Sequence, residues 1–224
     1  MLYWEKMNSF DEYLKPTRLC DFDQAPEIKE TAKRLTAGLA DRREIFNTIY
    51  QFVRGLPYGL EDWDVKASET LRKGWGMCSG KTNLLVALLR SVGIPARYRI
   101  YRIKSETILW RWIASQDKEL ARQMGEPLQE QDHIIAETHL NGWEACDPAR
   151  DPDFEEGLRR LGIPLERKPV TDTKGNLQLI MLASIDDWAQ NRQQARRFKE
   201  SRELIFSEMN KQFDKIRLIG KEKD

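Results

Sequence analysis

Cys78 stands in Gly-Trp-Gly-Met-Cys-Ser-Gly-Lys-Thr (74–82), just ahead of the apolar run Leu-Leu-Val-Ala-Leu-Leu. Two chemistries compete for that stretch. Gly80-Lys81-Thr82 has the end of a phosphate-cradling loop, which needs G-x-x-x-x-G-K-[ST] so that successive backbone N–H groups wrap the phosphates. The first glycine would have to occupy position 75, which is Trp75, and the preceding Ala-Ser-Glu-Thr-Leu-Arg-Lys is polar rather than a buried strand. The spacing fails. As a nucleophile, by contrast, Cys78 would open a helix, where the helix dipole favours a thiolate. Gly74 and Gly76 clear an approach for a substrate backbone, and a first-turn N–H is free to bind an oxyanion. Cys20 and Cys146 read as inert buried thiols. Lys81 and Thr82 then read as a solvated helix face.

The elements that must position Cys78 follow from periodicity. Residues 26–39 and 41–54 read as helices, the second with Asp41 as N-cap and Ile45, Ile49 and Val53 on its buried side. Residues 68–72 give one short polar turn of helix. Residues 78–91 form the strongest helical pattern, ended by Gly93 and Pro95. Residues 96–103 alternate as a strand, 105–130 read as a polar helical insertion, and 133–140 with 143–147 form a hairpin about Asn141-Gly142. A second hairpin is expected at 168–173 and 177–183, around residues 174–176. Residues 184–218 read as one long charged helix with Trp188, Phe198, Ile205, Met209, Phe213 and Ile216 inward. Its one-sided stripe fits packing on its own core better than self-association. Helices first and an antiparallel sheet afterwards make an α+β layout.

Two blocks of residues amount to a family resemblance. The first runs Tyr58…Ser68-Glu69-Thr70-Leu71…Gly76-Met77-Cys78…Leu88-Leu89-Arg90…Gly93-Ile94-Pro95-Ala96-Arg97. The second is His133-Ile134-Ile135-Ala136-Glu137…Asn141-Gly142-Trp143…Asp147-Pro148. Together they resemble the core of the transglutaminase-like superfamily, over roughly residues 45–150. Ile135 stands where that family often has Trp, and Trp143 follows Gly142 directly where one residue commonly intervenes. The resemblance implies a papain-like fold in one domain (1–224, core about 41–150). It also implies a triad in which Cys78 is the nucleophile, His133 the general base and acid, and Asp147 the residue that orients the imidazole.

Hairpin register tests that triad. With a two-residue turn at Asn141-Gly142, Ala136 pairs with Asp147, and His133 falls on the opposite face from the aspartate. With a three-residue loop 140–142 and Gly142 left-handed, His139 pairs with Trp143 and Ile135 with Asp147. His133 then becomes the diagonal neighbour of Asp147. His139, on the same face, is the competing base, though its place at the tip favours a solvated histidine. Glu137 shares the face and either helps position His133 or substrate, or is an exposed strand carboxylate. Trp75, Trp63 and Tyr58 are candidates for a second oxyanion donor, with Trp75 first because it lies three residues from Cys78.

Composition bounds the partners. The 224 residues are 40% apolar, with 37 basic against 36 acidic side chains and a net charge of +1, which offers no footprint for nucleic acid or an anionic membrane. No apolar leader or membrane span is evident, so a cytoplasmic, reducing setting is expected. Three cysteines and two histidines make neither a disulfide framework nor a zinc site. The expected function is cysteine-dependent acyl chemistry on an amide of a peptide or protein, with no cofactor and no metal. The resemblance implies hydrolysis over cross-linking, since a chain of this size without a recognisable calcium loop looks like the hydrolytic members of that superfamily. The alternative is a catalytically silent module that uses the fold for peptide binding or assembly.

Overall fold

The computed structural model describes residues 8–194 and 202–222. After a 3-10 helix (Asn8–Leu14), the elements run α1 (Pro26–Leu35), α2 (Arg42–Gly55), α3 (Ala67–Lys73), α4 (Cys78–Ser91), β1 (Ala96–Lys104), α5 (Thr107–Gln116) and α6 (Lys118–Met124). They continue with β2 (Glu130–His139), β3 (Trp143–Cys146), α7 (Pro152–Arg160), β4 (Leu179–Leu182), α8 (Asp186–Gln194) and α9 (Arg202–Lys221). The four strands make one antiparallel sheet in the order β3-β2-β1-β4. The α+β class read from the sequence is the observed one.

Local chemistry accounts for most boundaries. Asp41 caps α2 by accepting a bond from the Glu44 N–H at 2.9 Å, and Gly74, with φ of 72°, closes α3 in the left-handed conformation. The first helix stops at Leu35, short of the expected residue 39. Helix α7 has no counterpart among the expected elements, although Asp151-Pro152 is a start signal: the Asp151 carboxylate accepts from the Phe154 N–H at 3.0 Å with proline in the first turn. The expected second hairpin is only partly realised. Its turn closes through Asp172 N–H to Asn176 O at 2.9 Å, but β4 pairs with β1, and residue 169 bridges Ile103. The long C-terminal helix is helical over α8 and α9, while Phe198 lies outside the described residues.

Helix α4 lies at the centre of the fold. Every residue from Cys78 to Arg90 is buried, so the helix is enclosed on all sides rather than amphipathic. Four of its buried polar side chains therefore donate to backbone carbonyls, Lys81 among them. Asn83 donates to Val65 O at 2.8 Å, Thr82 to Ile134 O at 3.3 Å, and Arg90 to Lys15, Ala96 and Ala183 oxygens. This corrects the expectation of a solvated face at Lys81 and Thr82, which are both fully buried.

Two large hydrophobic cores and one small cluster at Met77, Cys78 and Ala149 result among the described residues. The first packs α1, α2 and α4 on the Ile100, Ile134 and Ala136 side of the sheet. The second joins α5 and α6, the insertion between β1 and β2, to α7 and α9 through Leu109, Phe154, Leu158, Phe213 and Ile216. Helices α7 and α9 approach closely at Gly157 and Gly220. Asp151 and Arg217 form a buried ion pair there at 2.9 Å.

Candidate active site

Cys78 is the first residue of α4, with Met77 as the extended N-cap, so its N–H has no intrahelical acceptor. Glu61 holds this helix start: one carboxylate oxygen accepts the Met77 N–H at 2.9 Å and the other accepts Lys73. Gly80 makes room for that carboxylate, because a Cβ there would lie 2.8 Å from Thr70 Oγ1 and closer still to Glu61. Burial pushes the Glu61 carboxyl above its ordinary range, against Lys73 and the Met77 N–H.

His133 lies on β2 opposite Tyr101, whose ring meets the imidazole edge-on at 5.5 Å. The hairpin has the three-residue register: His139 pairs with Trp143 and Ala136 with Cys146, and Asp147 follows directly. Gly142, however, is not among the left-handed glycines; the loop 140–142 closes through Leu140 N–H to Gly142 O at 3.2 Å instead of through a bulge glycine. In this register His133 Nε2 sits 2.8 Å from Asp147 Oδ2. A carboxylate only accepts, so Nε2 carries the proton in this pair and Nδ1 is left as the ring's acceptor, while the Cys78 thiol lines the same cavity.

The electrostatics follow from this stack. Burial lowers the tendency of His133 to protonate and Arg167 adds to that, but the charge of Asp147 and the bond to it outweigh both, so His133 is raised above 6.5. For Asp147, burial works against ionisation, yet His133, Arg167 and the Ala149 N–H at 2.9 Å hold its carboxyl well below the usual range. The stability signs follow. The raised histidine contributes most below 6.5 and that contribution fades as pH climbs through its folded value; the depressed aspartate contributes above 3.8 and is lost in acid. Asp147→Asn removes the dominant raising influence while burial and Arg167 remain, so the His133 titration is expected to move to lower pH than in the wild type. Imidazole NMR measures this cleanly, with only two histidines in the chain; an unmoved His133 curve would contradict the pairing.

Arg167 is a residue that sequence reasoning missed. Its guanidinium donates to Asp147 Oδ2 and reaches Glu106 at 3.4 Å, and Glu106 in turn takes Arg150. These partners lie twenty or more positions apart, and no local pattern marks them.

The other candidates separate by position. Tyr58 and Trp63 line the cavity that holds Cys78 and His133; Trp75 does not. Its ring packs against Gly59 with Lys73 4.5 Å above it. Glu137 is also outside the cavity and is buried, not exposed: Arg97 and Arg99 clasp it at 2.8 and 2.9 Å. His139 stays at the hairpin tip, 4.3 Å from the Phe10 ring and 5.3 Å from Trp143. Among the described residues, no group of three or more His, Cys, Asp and Glu side chains is placed to hold a metal, and no helix is long and apolar enough to cross a membrane.

The cavity measures about 430 Å³. Its walls come from the segment before Cys78, from the insertion helix α5, from Phe154 and from α9. A thiol, an imidazole and a carboxylate in sequence at the wall of such a cavity form an arrangement capable of nucleophilic acyl chemistry.

No curated protein matches this chain in sequence. Among solved structures, a similar one is that of "a Putative Cysteine Protease from Cytophaga hutchinsonii", 16% identical, with a TM-score of 0.48 over 81% of this chain. The match covers 59% of that protein, so this chain spans less than two thirds of its length. The family model of the transglutaminase-like superfamily matches residues 29–148, more than half of the chain, and the chain belongs to that superfamily.

Proposed function

We propose that this chain performs cysteine-dependent acyl chemistry on an amide, through a thioester on Cys78. The observation that carries the reading is the imidazole of His133, bonded to the Asp147 carboxylate, at the wall of the cavity that the Cys78 thiol also lines. Cys78 Sγ attacks the carbonyl while Nδ1 of His133 takes the thiol proton. The orphan N–H of Cys78 stabilises the oxyanion, and His133 returns the proton to the leaving amine. Asp147 keeps Nε2 protonated and the ring oriented. Tyr58 and Trp63, on the cavity wall, are the candidates for a second donor. Water then resolves the thioester, and a peptide or protein amide is the substrate class we assign.

Carboxamidomethylation of Cys78 by iodoacetamide, followed by mass spectrometry, tests this reading. His133→Ala is expected to slow labelling at neutral pH at least roughly tenfold, because the thiol loses the base that takes its proton. Equal rates in the two proteins would overturn the reading and favour a silent binding module. A peptide survey with and without an added primary amine then separates hydrolysis from transfer.

A further inference from the structure

The charges around the cavity are already spent on one another. Arg102 pairs with Glu130 at 2.9 Å, Arg192 with Asp132, Arg150 with Glu106, and Arg167 with both Glu106 and Asp147. A charged substrate side chain entering the cavity would have to break one of these pairs to find a counter-ion, and an unpaired buried charge is costly. Ser105, Gln131 and Tyr58 are the uncharged polar residues of the wall, and most of the rest is apolar, including Leu109 and Ile113 from α5, Phe154 from α7, and Phe206, Met209 and Phe213 from α9. Four of these six lie beyond residue 148, where the superfamily match ends, and the other two sit on the helical insertion between the motif blocks. Most of this apolar wall is thus supplied from outside the matched residues.

Resting on the proposed function, we infer that the substrate carries a bulky, uncharged apolar group next to the carbonyl that Cys78 attacks, and that α5 and α9 form the pocket for it. A cavity of about 430 Å³ continuous with Cys78 is within the size range of enclosed ligand sites, and burial alone supplies the selectivity. Small polar or charged side chains are the disfavoured occupants.

The test compares N-methyl- and N-hexyl-2-chloroacetamide, which share one electrophile. The Cys78 sulfur displaces chloride: a C–S bond forms, the C–Cl bond breaks, and the thiol proton passes to His133. Each buried methylene is worth about fourfold in rate, so partial burial of the hexyl chain is expected to favour it at least roughly tenfold. Leu109→Trp, which fills the pocket, is expected to bring the ratio towards one. Equal rates in the wild-type protein would overturn the inference. A separate arm titrates unreactive N-hexylacetamide against the fluorescence of Trp63 and Trp110, which line the cavity. Should Cys78 prove inert to both reagents, the proposed chemistry fails, yet saturable binding of N-hexylacetamide supports the pocket and its lack overturns it.

Discussion

Gly157→Ala is expected to cost about 3–5 kcal/mol and to detach α9 from the rest of the fold. A Cβ at Gly157 would lie 2.7 Å from the carbonyl carbon of Ile216 and closer still to its oxygen. These are backbone atoms of a helix and cannot swing aside as a flexible side chain would. The matching glycine, Gly220, is as tight: its Cβ would meet Gly157 N at 2.8 Å and Asp153 O nearer than that. One methyl group therefore forces two helix backbones apart. Phe213 and Ile216 would lift from Phe154 and Leu158, and Arg217 would draw away from Asp151, leaving a buried carboxylate without its partner. That second consequence puts the cost above ordinary overpacking. Urea denaturation measures the loss, and a midpoint within error of the wild type would refute the close packing. The cavity should suffer with the fold, because α9 supplies Phe206, Met209 and Phe213 to its wall.

How much of the molecule is legible in its sequence depends on the range of the interaction. Helix α4 starts and ends where its own residues say, at Cys78 and Ser91 ahead of Gly93 and Pro95. The hairpin register comes within reach because the alternation of 133–140 and 143–147 allows only two pairings, of which the three-residue loop is the one present. The loop's inner geometry does not follow, since Gly142 is not left-handed. Arg167 and Glu106 are illegible because the contacts that matter join separate elements. So is the pairing of β4: a strand is expected at 177–183, but its partner across the sheet is β1 rather than the nearer 168–173 segment. Trp75 illustrates a different limit: three residues from Cys78 says nothing about which way an indole points, and this one faces Gly59.

Lys81→Met is expected to destabilise the chain by about 3 kcal/mol or more while keeping the shape of the side chain. Lys81 lies one turn into α4 and is fully buried, and its Nζ donates to Arg54 O at 3.2 Å, Leu56 O at 2.5 Å and Ala149 O at 2.9 Å. Methionine fills the volume but leaves three carbonyls without a donor, at about 1 kcal/mol or more each. The pH dependence distinguishes this from a packing defect. Burial pulls the amine from its ordinary 10.5 down to about 7, against the charge of Asp151. Between those values the unfolded chain binds the proton and the folded one does not, so wild-type stability gains as pH rises, a slope that methionine lacks. The gap between wild type and variant should therefore widen from about pH 7 upward, and a constant gap would show that Lys81 carries no such linkage. The same substitution reaches the candidate active site. Ala149 is two residues from Asp147, and its N–H holds the Asp147 carboxylate. By pinning Ala149 to the first turn of the helix that begins at Cys78, Lys81 ties the carboxylate to the thiol. Lys81→Met is accordingly expected to slow iodoacetamide labelling of Cys78 even under conditions where the variant remains folded, and unchanged labelling of the folded variant would confine Lys81 to stability alone.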